Sequence, residues 1–383
     1  MHIKKWVFAL GIFPLLFNTA KAQQTAPQDE LGILNVVTTA VPFLRVIPDS
    51  RSGGIGDAGV AISPDVNALF HNPSKIVFID DADFGIGINY TPWLRSLVND
   101  VYLANIAGYY KLDDMQALGL SLRYFSLGNI QFTDAQGANL NEFRPNEFAL
   151  DGTYSRRLSD RFSTGITLRF IYSNLASGYE SMGEVITAAT AASGDISFFY
   201  TNDEVEVGDM NTTLNIGANI SNLGSKISYT QSAEKDFLPA NLGIGVAWEL
   251  NLDDYNQLTL ITDFNKLLAP TPQPDGSHRE LSVPAGIFGS FSDAPGGFTE
   301  EMREIMFAVG LEYWYDQQFA VRVGYFNEHE LKGNRKFLSA GLGVRYNVLE
   351  LNFSYLIPTT PQPHPLDNTL RFSLLFNFAG DRS

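Results

Sequence analysis

From residue 84 onward the chain repeats one pattern: apolar residues alternate with small or polar ones, segment after segment. In 304–315, Ile305, Phe307, Val309, Leu311, Tyr313 and Tyr315 share one side. Glu304, Met306, Ala308, Gly310, Glu312 and Trp314 share the other. In 161–172, Phe162, Ile166, Leu168, Phe170 and Tyr172 oppose Arg161, Ser163, Gly165, Thr167 and Arg169. Successive side chains of a β-strand point to opposite faces, so each segment is a strand with one apolar face.

A soluble sandwich also alternates, but three features favour a membrane barrel. Many segments run to about ten residues, the length of a tilted transmembrane strand. The apolar faces end in aromatics, as at Tyr90, Tyr110, Tyr172, Trp248, Tyr315 and Tyr355, which suits an interfacial girdle. The other face carries charge deep within strands: Arg123, Asp151, Arg169, Asp263, Glu312, Arg322, Arg345, Glu350 and Arg371. A dry core would hold such ions only at a cost of several kcal/mol each. Their mixed signs suit ion pairs with an internal plug better than the single-sign ring of a selective pore.

The expected fold is all-β: an outer-membrane barrel of about fourteen antiparallel strands. They are 84–90, 101–110, 117–126, 147–155, 161–172, 195–207, 211–221, 239–249, 256–266, 304–315, 319–327, 336–346, 348–356 and 368–378. The sixth ends in the acidic stretch Thr201–Asp209, expected to bend or leave the membrane. Linkers alternate long and short, from 267–303 down to the single residue 347, as extracellular loops and periplasmic turns do. An even strand number leaves both barrel ends in the periplasm. The last strand sets Leu370, Phe372, Leu374, Phe376 and Phe378 against Arg371, Ser373 and Asn377. It resembles the signal read by the barrel assembly machinery, except that a short tail, 379–383, follows it.

Residues 1–22 read as a secretory signal. Lys4 and Lys5 precede an apolar stretch from Trp6 to Phe17, and Ala20-Lys21-Ala22 offers a cleavage site before Gln23. No later apolar run reaches the ~18 residues of a membrane helix. The chain has no cysteine, so it holds no disulfide or thiolate metal site. A net charge of −16 argues against nucleic acid as a partner.

Residues 23–80 form an extension and hatch ahead of a barrel domain at 81–378. Ser52-Gly53-Gly54-Ile55-Gly56-Asp57-Ala58-Gly59 is glycine-rich, but it lacks the Gly-Lys-Ser/Thr and preceding strand of a phosphate loop. With Asp65, Asn67, Asn72 and Pro73 it resembles the N-terminal signature of the FadL-like barrels. That resemblance implies a segment folded inside the lumen. Asn219 to Gly224, with Asn222, Leu223 and Gly224, followed by Pro239, is similar to the mid-barrel motif of the PorV/PorQ group of type IX secretion proteins. Chain length, the Ala-rich third loop and the N-terminal lead point to the PorV (LptO) family.

The resemblance implies no catalysis and no cofactor. It implies a protein that binds secreted cargo through a C-terminal signal domain at the outer-membrane translocon. It then implies delivery to a cell-surface attachment complex that contains a peptidase. Outer-membrane lipid is the remaining partner. The rival reading is a channel for hydrophobic small molecules, with an apolar cavity beside the hatch and a gap in the wall. Inner-face glycines (Gly85, Gly87, Gly119, Gly165, Gly217, Gly243, Gly245, Gly341, Gly343) fit kinks for such a gap, or room for a plug.

No HExxH or GxSxG pattern occurs, and acid pairs such as Glu300-Glu301 read as solvated turn acids. The third loop, Glu180 to Ala192, is expected to hold a short Ala-rich helix. The 267–303 excursion is far longer than ordinary connections. Its Pro270, Pro272, Pro274, Phe288, Phe291 and Phe298, with Pro361 and Pro363 of the last loop, are the candidate partner-binding residues. Rigid prolines and exposed aromatics suit protein docking, although such loops also close pores.

Overall fold

The computed structural model describes residues 35–93, 100–133, 139–181, 184–208, 210–230, 235–273, 275–360 and 368–379. The signal segment, residues 23–34, Pro274, Pro361, Pro363 and the tail beyond Ala379 lie outside the described residues.

Fourteen antiparallel strands close into one barrel. They are β1 (Phe84–Pro92), β2 (Val101–Asp113), β3 (Gln116–Leu127), β4 (Asn146–Ser159), β5 (Phe162–Asn174), β6 (Ala189–Val207) and β7 (Met210–Gly224). The second half comprises β8 (Asn241–Asn251), β9 (Asn256–Leu267), β10 (Met306–Tyr315), β11 (Phe319–Asn327), β12 (Lys336–Tyr346), β13 (Leu349–Pro358) and β14 (Leu370–Phe378). Each pairs with the next. The seam joins β1 to β14, with Ile86 opposite Phe376 and Ile88 opposite Leu374. Closure leaves no strand edge, which an apolar surrounding would not tolerate.

The alternation becomes inside and outside. Arg123, Asp151, Arg169, Asp263, Glu312, Arg322, Glu350 and Arg371 are buried in the lumen, while Leu120, Leu168, Val321 and Leu342 face outward. Short turns gather at one rim. Asp316 and Gln317 both take positive φ there, as the central pair of a type I′ turn does, and the Gln318 amide closes it on the Tyr315 carbonyl at 3.0 Å. The long connections gather at the other rim.

The expected helix in the third loop does not form. Strand β6 begins at Ala189, and its small side chains Ala189 and Ala191 point inward into an apolar cluster with Val37 and Val41. Alanine's helix preference is a weak term, overridden here by ladder pairing to β5. The acidic stretch stays in β6 as far as Val207, with a register shift between Asn202 and Val205.

The N-terminal segment fills the barrel from rim to rim. It starts at the long-loop rim, where the Ala40 amide donates to the Phe237 carbonyl at 3.0 Å. A 3-10 turn at Pro42–Arg45 follows. Helix α1 (Ser50–Gly54) is capped by the Asp49 side chain, which accepts from the Ser52 amide. Helix α2 (Ala68–His71) and a 3-10 turn at Pro73–Phe78 complete it. At the short-turn rim Lys111 Nζ donates to the Ile79 carbonyl at 2.8 Å. One apolar cluster joins Val41, Phe43 and Leu44 to Phe125, Phe326 and Phe337. A second joins Leu69, Ile76 and Phe78 to Tyr109, Phe199 and Leu375.

The inner-face glycines make room for this segment. A Cβ on Gly217 or Gly245 would strike Val60, one on Gly119 would strike Leu69, and one on Gly341 would meet Gly54 at 3.0 Å. Gly85 and Gly343 face barrel side chains instead. Gly324 lies flat against the Ile55–Gly56 backbone. Replacing Gly324 with Val should destabilise the barrel by about 3 kcal/mol or more, since neither backbone can yield. Gly152→Ala, whose Cβ would meet nothing within 4 Å, should be neutral. The temperature at which the folded gel band converts to the unfolded one checks both.

Candidate functional site

The hatch motif is a set of contacts to the barrel wall. Asp49 caps α1 and accepts from His71 Nε2 at 2.6 Å. Ser52 Oγ meets that same Nε2 at 3.0 Å. Acid and hydroxyl on one ring nitrogen do not form a nucleophile relay, which needs them on opposite nitrogens. Gly53 packs on Arg371, and Gly59 lies against the His71 ring. Gly56 takes φ +78, and Asp57 follows in the left-handed region with φ 65. That turn aims the Asp57 carboxylate at Arg371 of β14. The amides of Gly59 and Val60 then donate to Asp263 of β9 at 2.7 and 2.8 Å.

Two arginines tie the middle of the lumen together. Arg51 of α1 grips Glu312 with Nε and Nη2, at 2.9 and 2.7 Å, and reaches Asp65 at 3.0 Å. Glu312 also accepts from Arg322, which donates onward to Asn352 at 2.7 Å. Asp65 turns the chain by accepting from the Asn67 amide at 2.7 Å. Asn67 Oδ1 accepts from Asn89, and Asn72 Nδ2 donates to the Val60 and Phe198 carbonyls. Pro73 opens the last turn, its carbonyl accepting from Ser155 at 2.7 Å.

The mid-barrel motif is a second anchor. Asn222 sits in the left-handed region, φ 59. Its amide donates to Asp195 at 2.7 Å, its Oδ1 accepts from Arg169, and its Nδ2 donates to the Pro239 carbonyl at 3.0 Å. Arg169 is held on its other sides by Asp151 and Asp195. Leu223 pairs with Gly194 in the wall, and Gly224 has room only for its hydrogen against Ala192 and Ser193. One cavity of about 100 Å³ lies in this region, lined by Asn219, Asn241, Asp263 and Asn265 among others. Leu44, Phe70, Met306 and Phe326 line it as well, and it is smaller than the roughly 300–1,000 Å³ of a small-molecule site.

The long connection after β9 folds over the rim. It carries helix α3 (Val283–Gly289), which begins at the Ser282 cap, and helix α4 (Phe298–Arg303). The sequence reading of Glu300 and Glu301 as solvated turn acids is corrected here. Lys266 of β9 pairs with Glu301 at 3.0 Å and Glu304 at 2.6 Å, while Lys332 pairs with Glu300 at 2.5 Å and Glu304 at 2.9 Å. The Thr271 amide donates to Asp293 at 3.0 Å, and its hydroxyl donates to Glu304 at 2.8 Å. This clamp gave no sequence signal, because lysines and acids lie far apart in the chain. The candidate loop residues divide. Pro270 is buried beside Gly286 and Pro272 is half-buried, whereas Phe288 and Phe298 are 77% and 79% exposed and Phe291 is exposed as well.

A family model described as "Type IX secretion system protein PorV" matches residues 28–274. Among curated protein sequences none matches. The fold is similar to the toluene transporter TodX of Pseudomonas putida, with a TM-score of 0.50, 10% identity, and coverage of 86% of this chain and 98% of that one. A FadL homologue of Pseudomonas aeruginosa gives a TM-score of 0.45, 13% identity, and coverage of 87% and 99%. At such identities the likeness concerns the FadL-like barrel fold alone.

Two outcomes follow from this geometry. Arg51→Met should destabilise the barrel by about 3–5 kcal/mol, because Glu312 and Asp65 lose a buried partner. Adding Glu312→Gln should return part of that loss, read as non-additivity in urea unfolding. The second outcome concerns acid. Burial pushes the Glu300 carboxyl up, but Lys332 and the Gly296 amide outweigh it and hold it below the usual range. A depressed folded value stabilises above the unfolded pKa and is lost as pH falls through the folded one. Asp293 opposes this, since burial raises its carboxyl and protonation favours its folded environment. A spin label on Ser292→Cys, a unique site in a chain without cysteine, should keep its mobility from pH 8 to 5 and loosen below about pH 4.

Proposed function

The chain belongs to the PorV family of type IX secretion system proteins, and from that premise we propose a non-enzymatic, cargo-binding role in the outer membrane. It receives secreted proteins through their C-terminal signal domain at the translocon barrel. It passes them to the attachment complex, whose peptidase processes them at the cell surface. The long loops face the exterior, and the short turns and C-terminal end of β14 face the periplasm. The short-turn, long-loop asymmetry supports that orientation.

The observation that carries the reading is a filled lumen beneath an ordered, aromatic-bearing rim. A barrel plugged by its own N-terminal segment offers surfaces rather than a passage. The clamp of Lys266 and Lys332 holds α4 in place, and Gly286 of α3 packs on Phe237 and Pro270, so Phe298 and Phe288 are presented without a large ordering penalty on docking. The channel reading gains no support from the cavity beside the hatch, which is small, about 100 Å³, and lined by apolar and polar side chains alike.

Phe288→Ser with Phe298→Ser should leave the folded gel band unchanged and lower co-purification of translocon barrel or cargo by about tenfold, as loss of exposed anchor aromatics does. Unchanged recovery of both partners would remove the rim from the proposal.

A further inference from the structure

One stretch of the outer wall is concave. Outward ladder neighbours run Ile86, Gly108, Leu120, Gly152 and Leu168 across β1 to β5. Each glycine leaves a gap between bulky neighbours. A Cβ on Gly152 would meet nothing within 4 Å, and one on Gly108 only the Gly85 carbonyl at 3.4 Å. Leu120 and Leu168 stand proud between the gaps. Together the gaps form a depression of about 960 Å³ with apolar walls. On the opposite wall every glycine of β8 to β14 faces the lumen.

Tyrosines close the depression on the short-turn side, and a charge lies beyond them, outside its lining. Tyr110 and Tyr154 follow Gly108 and Gly152 on the same outward rows, one step nearer the short turns. Tyrosines of this kind mark the headgroup level of a bilayer. Arg156 is the next outward residue of β4; it is exposed, and its guanidinium meets no partner among the described residues. At the rise of an extended strand it lies about 13 Å from Gly152. An occupant must therefore be apolar at the glycines, amphipathic at the tyrosines and anionic at Arg156.

We propose that this depression is a phospholipid site, with acyl chains over Gly108 and Gly152 and the phosphate on Arg156. Acyl chains conform to irregular apolar gaps, and a phosphate suits an unpaired guanidinium. The choice of phospholipid rests on the orientation given above, which puts the short-turn rim in the periplasmic leaflet. It does not depend on the secretory role.

Native mass spectrometry of the full-length barrel in mild detergent tests it, with palmitoyl-oleoyl phosphatidylglycerol and, separately, lipopolysaccharide as probes. The wild-type barrel should retain a phosphatidylglycerol adduct. Gly108→Leu with Gly152→Leu should lose it, and so should Arg156→Gln, while the opposite-wall variant Val321→Leu keeps it. Arg156→Gln decides alone if the leucine variant does not fold. Retention by all variants overturns the site. Retention of lipopolysaccharide in place of phosphatidylglycerol overturns the orientation and with it the phospholipid assignment. Release of a co-purifying protein by the leucine variant, with lipid unaffected, assigns the depression to a protein interface and overturns the proposal.

Discussion

Width is the constraint on which this structure depends. Backbone groups facing lipid must all be paired, so the sheet has to close on itself. Eight strands close around a lumen their own side chains fill, but fourteen enclose more space than that. The N-terminal segment supplies the missing volume. Its presence then dictates the inner wall: glycine where backbones touch, as at Gly324, and a carboxylate where the hatch offers a charge or free amides, as at Glu312 and Asp263. Glu312 is tolerable in the lumen because Arg51 of the hatch pairs with it.

Much of this was legible in the sequence, and the reason differs from part to part. The fourteen strands follow from alternation, which is local and survives without knowledge of neighbours. The inward charges were legible for the same reason. That the glycines make room for a plug was one of two open readings, since the residue type records close approach without naming what approaches. The lysine–acid clamp was invisible. Lys266 and Glu301 meet only because β9 and the loop helix return to the same rim, and charge alone does not announce a partner. Strand β6 was misjudged at its start, because an Ala-Thr-Ala run looks helical until the Val37–Val41 segment packs on it.

Outside the filled lumen three surfaces differ in chemistry: an aromatic rim beside buried ion pairs, a wall over β8 to β14 whose glycines all point inward, and a dimpled wall over β1 to β5. The family motifs lie beneath these surfaces. Asn222 holds Arg169, Asp195 and Pro239 in one place, which fixes the ladder below the outer loops.

The rim-to-rim path of the hatch has a consequence for biogenesis. The segment precedes β1, and β1 forms the seam with β14, the last strand made. The plug is anchored at both rims, by Ala40 on one side and Ile79 on the other. The β1–β14 pairing is therefore the contact that both completes the wall and encloses the core. In this barrel plug and wall are one cooperative unit, and assembly has to bring the two together.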